Sequence, residues 1–137
     1  ITPVLSGVIG KIHESGVDLS GKAKLSYSNG IVSEIEVSII KNLENITEIL
    51  GKDGMIKILS PWLPNKDSVI EIHKNNNIEK IKTFNDLNIL AYQIKLFGNA
   101  VNDKKFKDNY PAMSINNSVN CIKTMIEWKE LISSNEN

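Results

Sequence analysis

The chain has no arginine, a single cysteine and two histidines, and each shortage argues against a class of site. All 16 basic side chains are lysines, and 16 acidic side chains balance them. Nucleic acid is therefore not expected as a partner, because the chain has neither excess positive charge nor the guanidinium that clamps phosphate with two hydrogen bonds. The lone Cys121 cannot form an internal disulfide, and its place in an apolar stretch predicts a small buried side chain. A reduced, cytoplasmic protein is expected.

Several functional motifs are also missing. No apolar run approaches the roughly 18 to 20 residues of a membrane span, so no membrane partner is expected. The sequence contains no Gly-x-Gly for a dinucleotide and no Gly-x-Ser-x-Gly for a serine nucleophile. His13 and His73 have no second ligand at metal-binding spacing, and both are predicted to be solvated. We expect no catalytic, cofactor-binding or metal-binding residue in this chain.

The length of 137 residues predicts one domain, residues 1–137. Its first part alternates in the manner of strands. A strand is predicted from about Val4 to Ile12, with Val4, Val8 and Ile12 on one face. A hairpin follows around the loop Ser28-Asn29-Gly30, with Gly30 in the left-handed position. Its register sets apolar pairs on one face and Lys–Glu pairs on the other: Tyr27 with Ile31, Leu25 with Ser33, Ala23 with Ile35, Lys24 with Glu34, and Lys22 with Glu36.

Two further hairpins are predicted in the middle of the chain. The turn Gly51-Lys52-Asp53-Gly54 sets Ile49 opposite Ile56 and Glu48 opposite Lys57. An Asn-rich turn then sets Ile70 opposite Ile81 and Glu71 opposite Lys80. The prolines at 61 and 64 cannot donate to a ladder, so the segment around Trp62 is expected to be a loop.

The last third is predicted to be helical. Asn85 is a candidate cap for a helix from about Asp86 to Val101, and Ser114 for a second helix from Ile115 to Ile132. Apolar residues repeat at helical spacing in the second helix: Ile115, Val119, Ile122 and Ile126, with Cys121, Met125, Trp128 and Ile132 beside them. Strands followed by helices indicate the α+β class, with one antiparallel-dominated sheet, two main helices packed on one face, and the other face available for dimerisation.

The order of these segments resembles a known family. The strand and turn at 27–30, the Gly-x-x-Gly turn at 51–54, the Pro-Trp loop at 61–64 and the segment 110–114 before the last helix resemble the C-terminal domain of the Gfo/Idh/MocA oxidoreductases. The dihydrodiol dehydrogenase-like and glucose-fructose oxidoreductase-like branch is the most similar. Family members carry their nicotinamide cofactor on an N-terminal domain, whose glycine fingerprint and Glu-Lys-Pro segment are missing here.

The resemblance implies a role for this chain. It would be the substrate-binding and oligomerisation domain of an NAD(P)-dependent oxidoreductase acting on a sugar-like or cyclic diol substrate. NAD or NADP is implied for the full-length protein, and the chain alone is expected to be inactive. The family carries an aromatic wall on the loop that Trp62 occupies, and this role is carried to Trp62. Phe84 is expected either as a second wall or in the core.

The resemblance also implies a homodimer through the open sheet face. The strand from Ile31 to Ile40 is not fully polar on its second face, and an isologous contact there would place Val32 and Ile40 in or beside the interface. Two other interpretations stay open, namely a stand-alone α+β small-molecule binding module and a purely structural dimerisation domain. A pocket open at a domain edge favours the oxidoreductase, a closed apolar cavity the module, and no pocket the structural domain.

Overall fold

The computed structural model describes residues 2–64, 66–84, 86–103 and 113–135. Within these ranges strands come first and helices last, as the sequence predicts. The contacts divide the chain into two compact units, one comprising Ile1–Leu43 with Lys107–Asn137 and the other Glu44–Phe106. The elements are β1 Val4–Ile12, β2 Asp18–Ser26, β3 Val32–Ser38, β4 Ile46–Gly51, β5 Gly54–Leu59, β6 Asp67–Lys74, β7 Asn77–Phe84, α1 Ile89–Asp103 and α2 Ile115–Asn135.

The first unit is an antiparallel sheet in the order β1-β2-β3, with α2 packed on β1 and β2. The hairpin of β2 and β3 has the predicted register throughout. Its loop closes with Tyr27 donating its N–H to the Ile31 carbonyl at 2.9 Å, and Gly30 has a φ of 83°. The left-handed position predicted for Gly30 is therefore confirmed, and only glycine adopts it without strain. The core of the unit is small and consists of Leu5, Val8, Ala23, Leu25 and Ile132.

Helix α2 lies on a surface made smooth by two glycines. Gly10 and Gly21 face each other across β1 and β2. A Cβ on Gly10 would lie 2.6 Å from Ile132 Cδ1, and one on Gly21 would lie 3.1 Å from Trp128 Cζ2. The helix approaches the sheet this closely because both positions lack a side chain. Lys129 Nζ donates to the Gly16 carbonyl at 2.6 Å, and Asn135 Nδ2 to the Val8 carbonyl at 2.9 Å, so the last turns of α2 are also held by hydrogen bonds.

The prediction that Val4 shares the face of Val8 is wrong at the start of β1. Gly7 has a φ of 56°, and the pairing with β2 shifts between Ser6 and Ile9. This bulge changes which residues point to the core. Leu5 and Val8 are buried, while Val4 is exposed.

The second unit is a four-stranded antiparallel meander in the order β4-β5-β6-β7. The predicted hairpin registers are confirmed, with Glu48 opposite Lys57 and Glu71 opposite Lys80. In an antiparallel sheet, directly paired residues point to the same face. One face therefore carries six isoleucines, and the other carries the charged pairs. The isoleucines are Ile49, Ile56, Ile58, Ile70, Ile72 and Ile81.

Both helices begin at a polar cap. Asn88 Oδ1 accepts the N–H of Ala91 at 2.8 Å, so α1 begins three residues later than predicted, while Asn85 lies outside the described residues. Ser114 Oγ accepts the N–H of Asn117 at 3.1 Å, as predicted for the second helix. The apolar stripe of α2 that begins at Ile115 is exposed, because only the C-terminal turns of α2 reach the core.

The α+β class with antiparallel strands is confirmed. The strands form two sheets where the sequence predicted one, and each helix belongs to a different unit. The chain leaves β3 in a turn at Ser38, whose Oγ accepts the N–H groups of Ile40 and Lys41. Among the described strands, the next one, β4, pairs with β5 and lies at the edge of its sheet. Cys121 is exposed, in contrast to the expectation of a buried thiol.

Candidate functional site

An open cleft of about 340 Å³ lies in the second unit, where β7 ends and α1 begins. Its size and mostly apolar lining suit a small ring-shaped molecule. Polar groups are few and stand among apolar and aromatic side chains. The lining residues are Pro64, Lys66, Ser68, Thr83, Phe84, Leu87, Ile89 and Tyr92.

The backbone fixes both aromatic side chains of the cleft. Phe84 is the last residue of β7 and pairs with Asp67 of β6. The Asn88 cap starts α1 at Ile89, and Tyr92 follows three residues later on the same side of the helix. Phe84 and Tyr92 therefore line the cleft from the strand end and from the first turn of the helix.

Three polar side chains accompany the aromatic rings. Lys66 supplies an ammonium group with three donors, while Ser68 and Thr83 supply hydroxyls. The Thr83 hydroxyl donates to the Ser68 carbonyl at 3.1 Å, so its oxygen keeps its capacity to accept a hydrogen bond. The donors and acceptors in this set are of the kind that hydrogen-bonds hydroxyl or carbonyl oxygens. It contains no nucleophile with an adjacent base.

The structure places the two sequence-predicted site residues differently. Phe84 lines the cleft and is 74% exposed, so it is not a core side chain. Trp62 is 68% exposed on the β5–β6 loop and is not among the lining residues. Asn45 holds the start of this loop, because its carbonyl accepts the Ser60 N–H at 2.9 Å and its side chain lies 3.5 Å from the Trp62 nitrogen.

Sequence reasoning missed Tyr92 and Lys66. Tyr92 could have been found from its spacing, since it follows Ile89 by three residues and both line the cleft. Lys66 carries no comparable signal, because it is one of 16 lysines and stands in an irregular segment.

A second, shallower groove of about 510 Å³ lies at the other end of the same sheet. It is lined by the β4–β5 turn at Gly51 and Gly54, by the β6–β7 turn at residues 74–77, and by Leu50, Met55, His73 and Ile78. His73 Nε2 lies 3.1 Å from Glu71 Oε2 and does not stand beside a nucleophile. His13 is exposed, and its Nδ1 lies 2.8 Å from Ser15 Oγ.

A row of charges crosses the sheet next to this groove. Lys57 Nζ lies 3.0 Å from Glu48 Oε1, and Lys80 Nζ lies 2.9 Å from Glu71 Oε1. Hydrogen bonds from Lys80 and His73 lower the pKa of Glu71, and the bond to Glu48 raises the pKa of Lys57. Each shift favours the charged form of its own group.

Among the described residues, no three His, Cys, Asp or Glu side chains are grouped to hold a metal ion. In the same part of the chain, neither helix is both long and apolar enough to cross a membrane.

The fold is similar to that of part of a solved 3-ketoreductase. The chain superposes on the 3-ketoreductase KijD10 of Actinomadura kijaniata, in its open conformation with TDP-benzene and NADP, with a TM-score of 0.68 at 17% identity, covering 77% of this chain and 34% of that one. A variant of the same reductase gives 0.70 at 15% identity, covering 97% of this chain and 40% of that one. At these identities the likeness establishes the fold alone.

The sequence relatives are trans-1,2-dihydrobenzene-1,2-diol dehydrogenases. The chain is 36% identical to the Mus musculus enzyme over 62 residues, which are 45% of this chain and 19% of that protein. It is 33% identical to the Homo sapiens enzyme over 73 residues, 53% of this chain and 22% of that protein. The match thus spans about a fifth of these relatives, and no family model matches. The resemblance to the Gfo/Idh/MocA oxidoreductases is confirmed, and dihydrodiol dehydrogenases are homologues of this chain.

Proposed function

We propose that residues 1–137 form the substrate-binding and oligomerisation domain of an NAD(P)-dependent oxidoreductase acting on a sugar-like or cyclic diol substrate. Homology to dihydrodiol dehydrogenases supports the reaction class. The observation that carries the assignment is the cleft between β7 and α1, with two aromatic rings and a few hydrogen-bonding groups. A cyclic diol is complementary to this lining, because it combines an apolar ring with adjacent hydroxyls.

The described residues do not fit the nucleotide itself. A dinucleotide pyrophosphate binds the free N–H groups at a helix N-terminus beside a glycine-rich turn. Here Asn88 and Ser114 already accept first-turn N–H groups in α1 and α2. Bound elsewhere in a complete enzyme, a nicotinamide would exchange hydride with the substrate carbon. This chain would orient the ring and exclude water beside it, and we expect it not to bind NADH or NADPH at micromolar affinity.

Phe84 is the lining residue to test, and Phe97 is a matched control. Phe97 is a second exposed aromatic side chain, located on α1 and outside the lining of the cleft. Phe84→Ala should weaken binding of a cyclic vicinal diol roughly two- to tenfold, the value of one aromatic contact, while Phe97→Ala should leave binding unchanged. Calorimetric titration with the diol, NADH and NADPH measures all three. Equal affinities in both variants, or micromolar binding of either nucleotide, would contradict the proposal.

A stand-alone binding module is the alternative, because this chain provides all the described lining residues. The two functions predict different affinities of this chain for its ligand. A module with a complete site should bind its ligand at micromolar concentration or below. A substrate domain that forms one wall of a composite site should bind the diol near millimolar concentration.

Trp62 retains its proposed role as a substrate wall, on the loop that leads to Pro64 of the cleft. Its exposure leaves the ring free to contact a ligand.

Oligomerisation is proposed through the helix-free face of the β1–β3 sheet. Val32 and Ile40 are exposed, as a contact there requires. Sedimentation of Val32→Lys combined with Glu36→Lys tests this surface, and an unchanged mass would contradict it.

A further inference from the structure

The β2–β3 loop contains a dipeptide whose chemistry the proposed function does not use. Asn29 is followed by Gly30, and no other asparagine of the chain is followed by glycine. Both residues are exposed. An asparagine side chain can react with the backbone nitrogen of the next residue, and glycine hinders that nitrogen least because it has no Cβ. The space around Gly30 is open, since a Cβ there would meet no atom within 4 Å.

The hydrogen bonds of the loop bring the reacting groups together. Asn29 Oδ1 accepts the N–H of Ile31 at 3.2 Å. This bond folds the side chain back over the peptide bond that follows it and draws electron density away from Cγ, the atom that is attacked. The Gly30 N–H donates to the Tyr27 carbonyl at 3.0 Å, and this bond must open before the nitrogen can react. It lies at an exposed loop tip, where local opening costs little free energy.

We propose that Asn29 is a site of spontaneous deamidation and isomerisation, with water as the co-reactant. The Gly30 nitrogen loses its proton and forms a bond to Asn29 Cγ. The bond from Cγ to Nδ2 breaks, and ammonia leaves with a proton equivalent to the one that was lost. Water then opens the resulting succinimide ring at either of its carbonyl carbons, which leaves aspartate or isoaspartate. Nothing is oxidised or reduced in these steps.

Isoaspartate changes the length of the loop. Its backbone runs through Cβ and Cγ, so the chain gains a methylene between the Cα of residue 29 and the nitrogen of Gly30. The present loop length sets the register of β2 and β3, and the loop closes through the hydrogen bond from Tyr27 to Ile31. Isoaspartate should therefore weaken this hairpin. Aspartate keeps the loop length and an oxygen that can accept the Ile31 N–H.

Other asparagines of the chain serve as internal controls. Asn75 and Asn76 lie in the exposed β6–β7 turn with φ of 50° and 60°, but each is followed by a residue that carries a Cβ. Asn117 precedes Ser118, whose N–H donates to the Ser114 carbonyl at 3.0 Å within α2. The first two share the exposure of Asn29 without its glycine, and the third has a nitrogen held in a helix.

Peptide mapping by mass spectrometry measures the reaction in the folded chain during incubation at mildly alkaline pH. We expect Asn29 to convert several times faster than Asn75, Asn76 or Asn117, with isoaspartate in excess of aspartate. Gly30→Ala should slow the reaction, although alanine is strained at the φ of 83° that this position requires. Asn29→Gln is the second variant. It leaves Gly30 in place, and its longer side chain cannot form the succinimide, so conversion at residue 29 should be lost.

Thermal unfolding measures the consequence for the fold. The isoaspartyl chain, separated by chromatography after incubation, should unfold at a lower temperature than Asn29→Asp. The two have the same charge, so a difference between them reports the added methylene alone.

Three results would overturn the proposal. They are conversion at Asn29 that is absent or no faster than at Asn75 and Asn76, aspartate formed without isoaspartate, and equal unfolding temperatures of the isoaspartyl chain and Asn29→Asp. None of these measurements involves the substrate cleft or the oligomeric state. Failure here is therefore distinguishable from failure of the proposed function.

Discussion

The two tryptophans of the chain should differ sharply in their contribution to stability. Trp128 packs on Gly21 and against the core of the first unit. Its replacement by alanine removes a large aromatic contact and leaves a cavity, which costs about 3 kcal/mol or more. Trp62 is 68% exposed, so about a third of its surface is covered. At about 25 cal/mol per Å², roughly 80 Å² of covered surface contributes at most about 2 kcal/mol.

Guanidinium denaturation of Trp62→Ala and Trp128→Ala, followed by far-ultraviolet circular dichroism, measures both values, because the strands and helices of both units contribute to that signal. Trp128→Phe is the control, because it retains an aromatic ring on Gly21 and should recover much of the lost stability. The buried indole N–H of Trp128 has no hydrogen-bond partner among the described residues, so its loss adds no cost. A Trp62→Ala variant as unstable as Trp128→Ala would refute the assignment of Trp62 to an exposed loop.

Two further predictions concern the second sheet. Gly54→Ala should destabilise the chain by more than about 1 kcal/mol in thermal unfolding, because a Cβ there would collide with the His73 carbonyl oxygen. Gly51→Ala is the control, since a Cβ at Gly51 would make only an ordinary van der Waals contact. Equal effects of the two substitutions would contradict this prediction. The lowered pKa of Glu71 means that its stabilisation is present above the ordinary carboxyl pKa and is lost as the pH falls through the lowered value. Acid titration should therefore destabilise the unmutated chain more than Glu71→Gln, and parallel stability curves would argue against the assignment.

Local sequence predicted the hairpins well and the packing poorly. The register of β2 and β3 follows from a three-residue loop and two Lys–Glu pairs, all of which are visible in the sequence. The bulge at Gly7 moved Leu5 into the core in place of Val4, because one extra residue reverses the alternation. The division into two sheets depends on which strands meet, and alternation within a strand does not specify that.

For the candidate site too, the sequence indicated some of the lining residues and not others. Phe84 was named either as a second wall or as a core residue; it lines the cleft, and its contact with a substrate stays a prediction. Tyr92 was missed although it follows Ile89 by three residues on one side of α1, because only the fold shows that this side meets the end of β7. Helix ends are set by capping bonds, and Asn88 supplies this bond at the start of α1.

The most direct test of the central claim is to map where a cyclic diol binds. Titration of the isotope-labelled chain with a cyclic vicinal diol, followed by amide NMR shifts, locates the contact residue by residue. The account predicts that the largest changes occur at Thr83, Phe84 and Tyr92, while the core of the first unit around Ala23 stays unchanged. Shifts confined to the first unit, or none at millimolar diol, would contradict the claim that this chain is a substrate-binding domain.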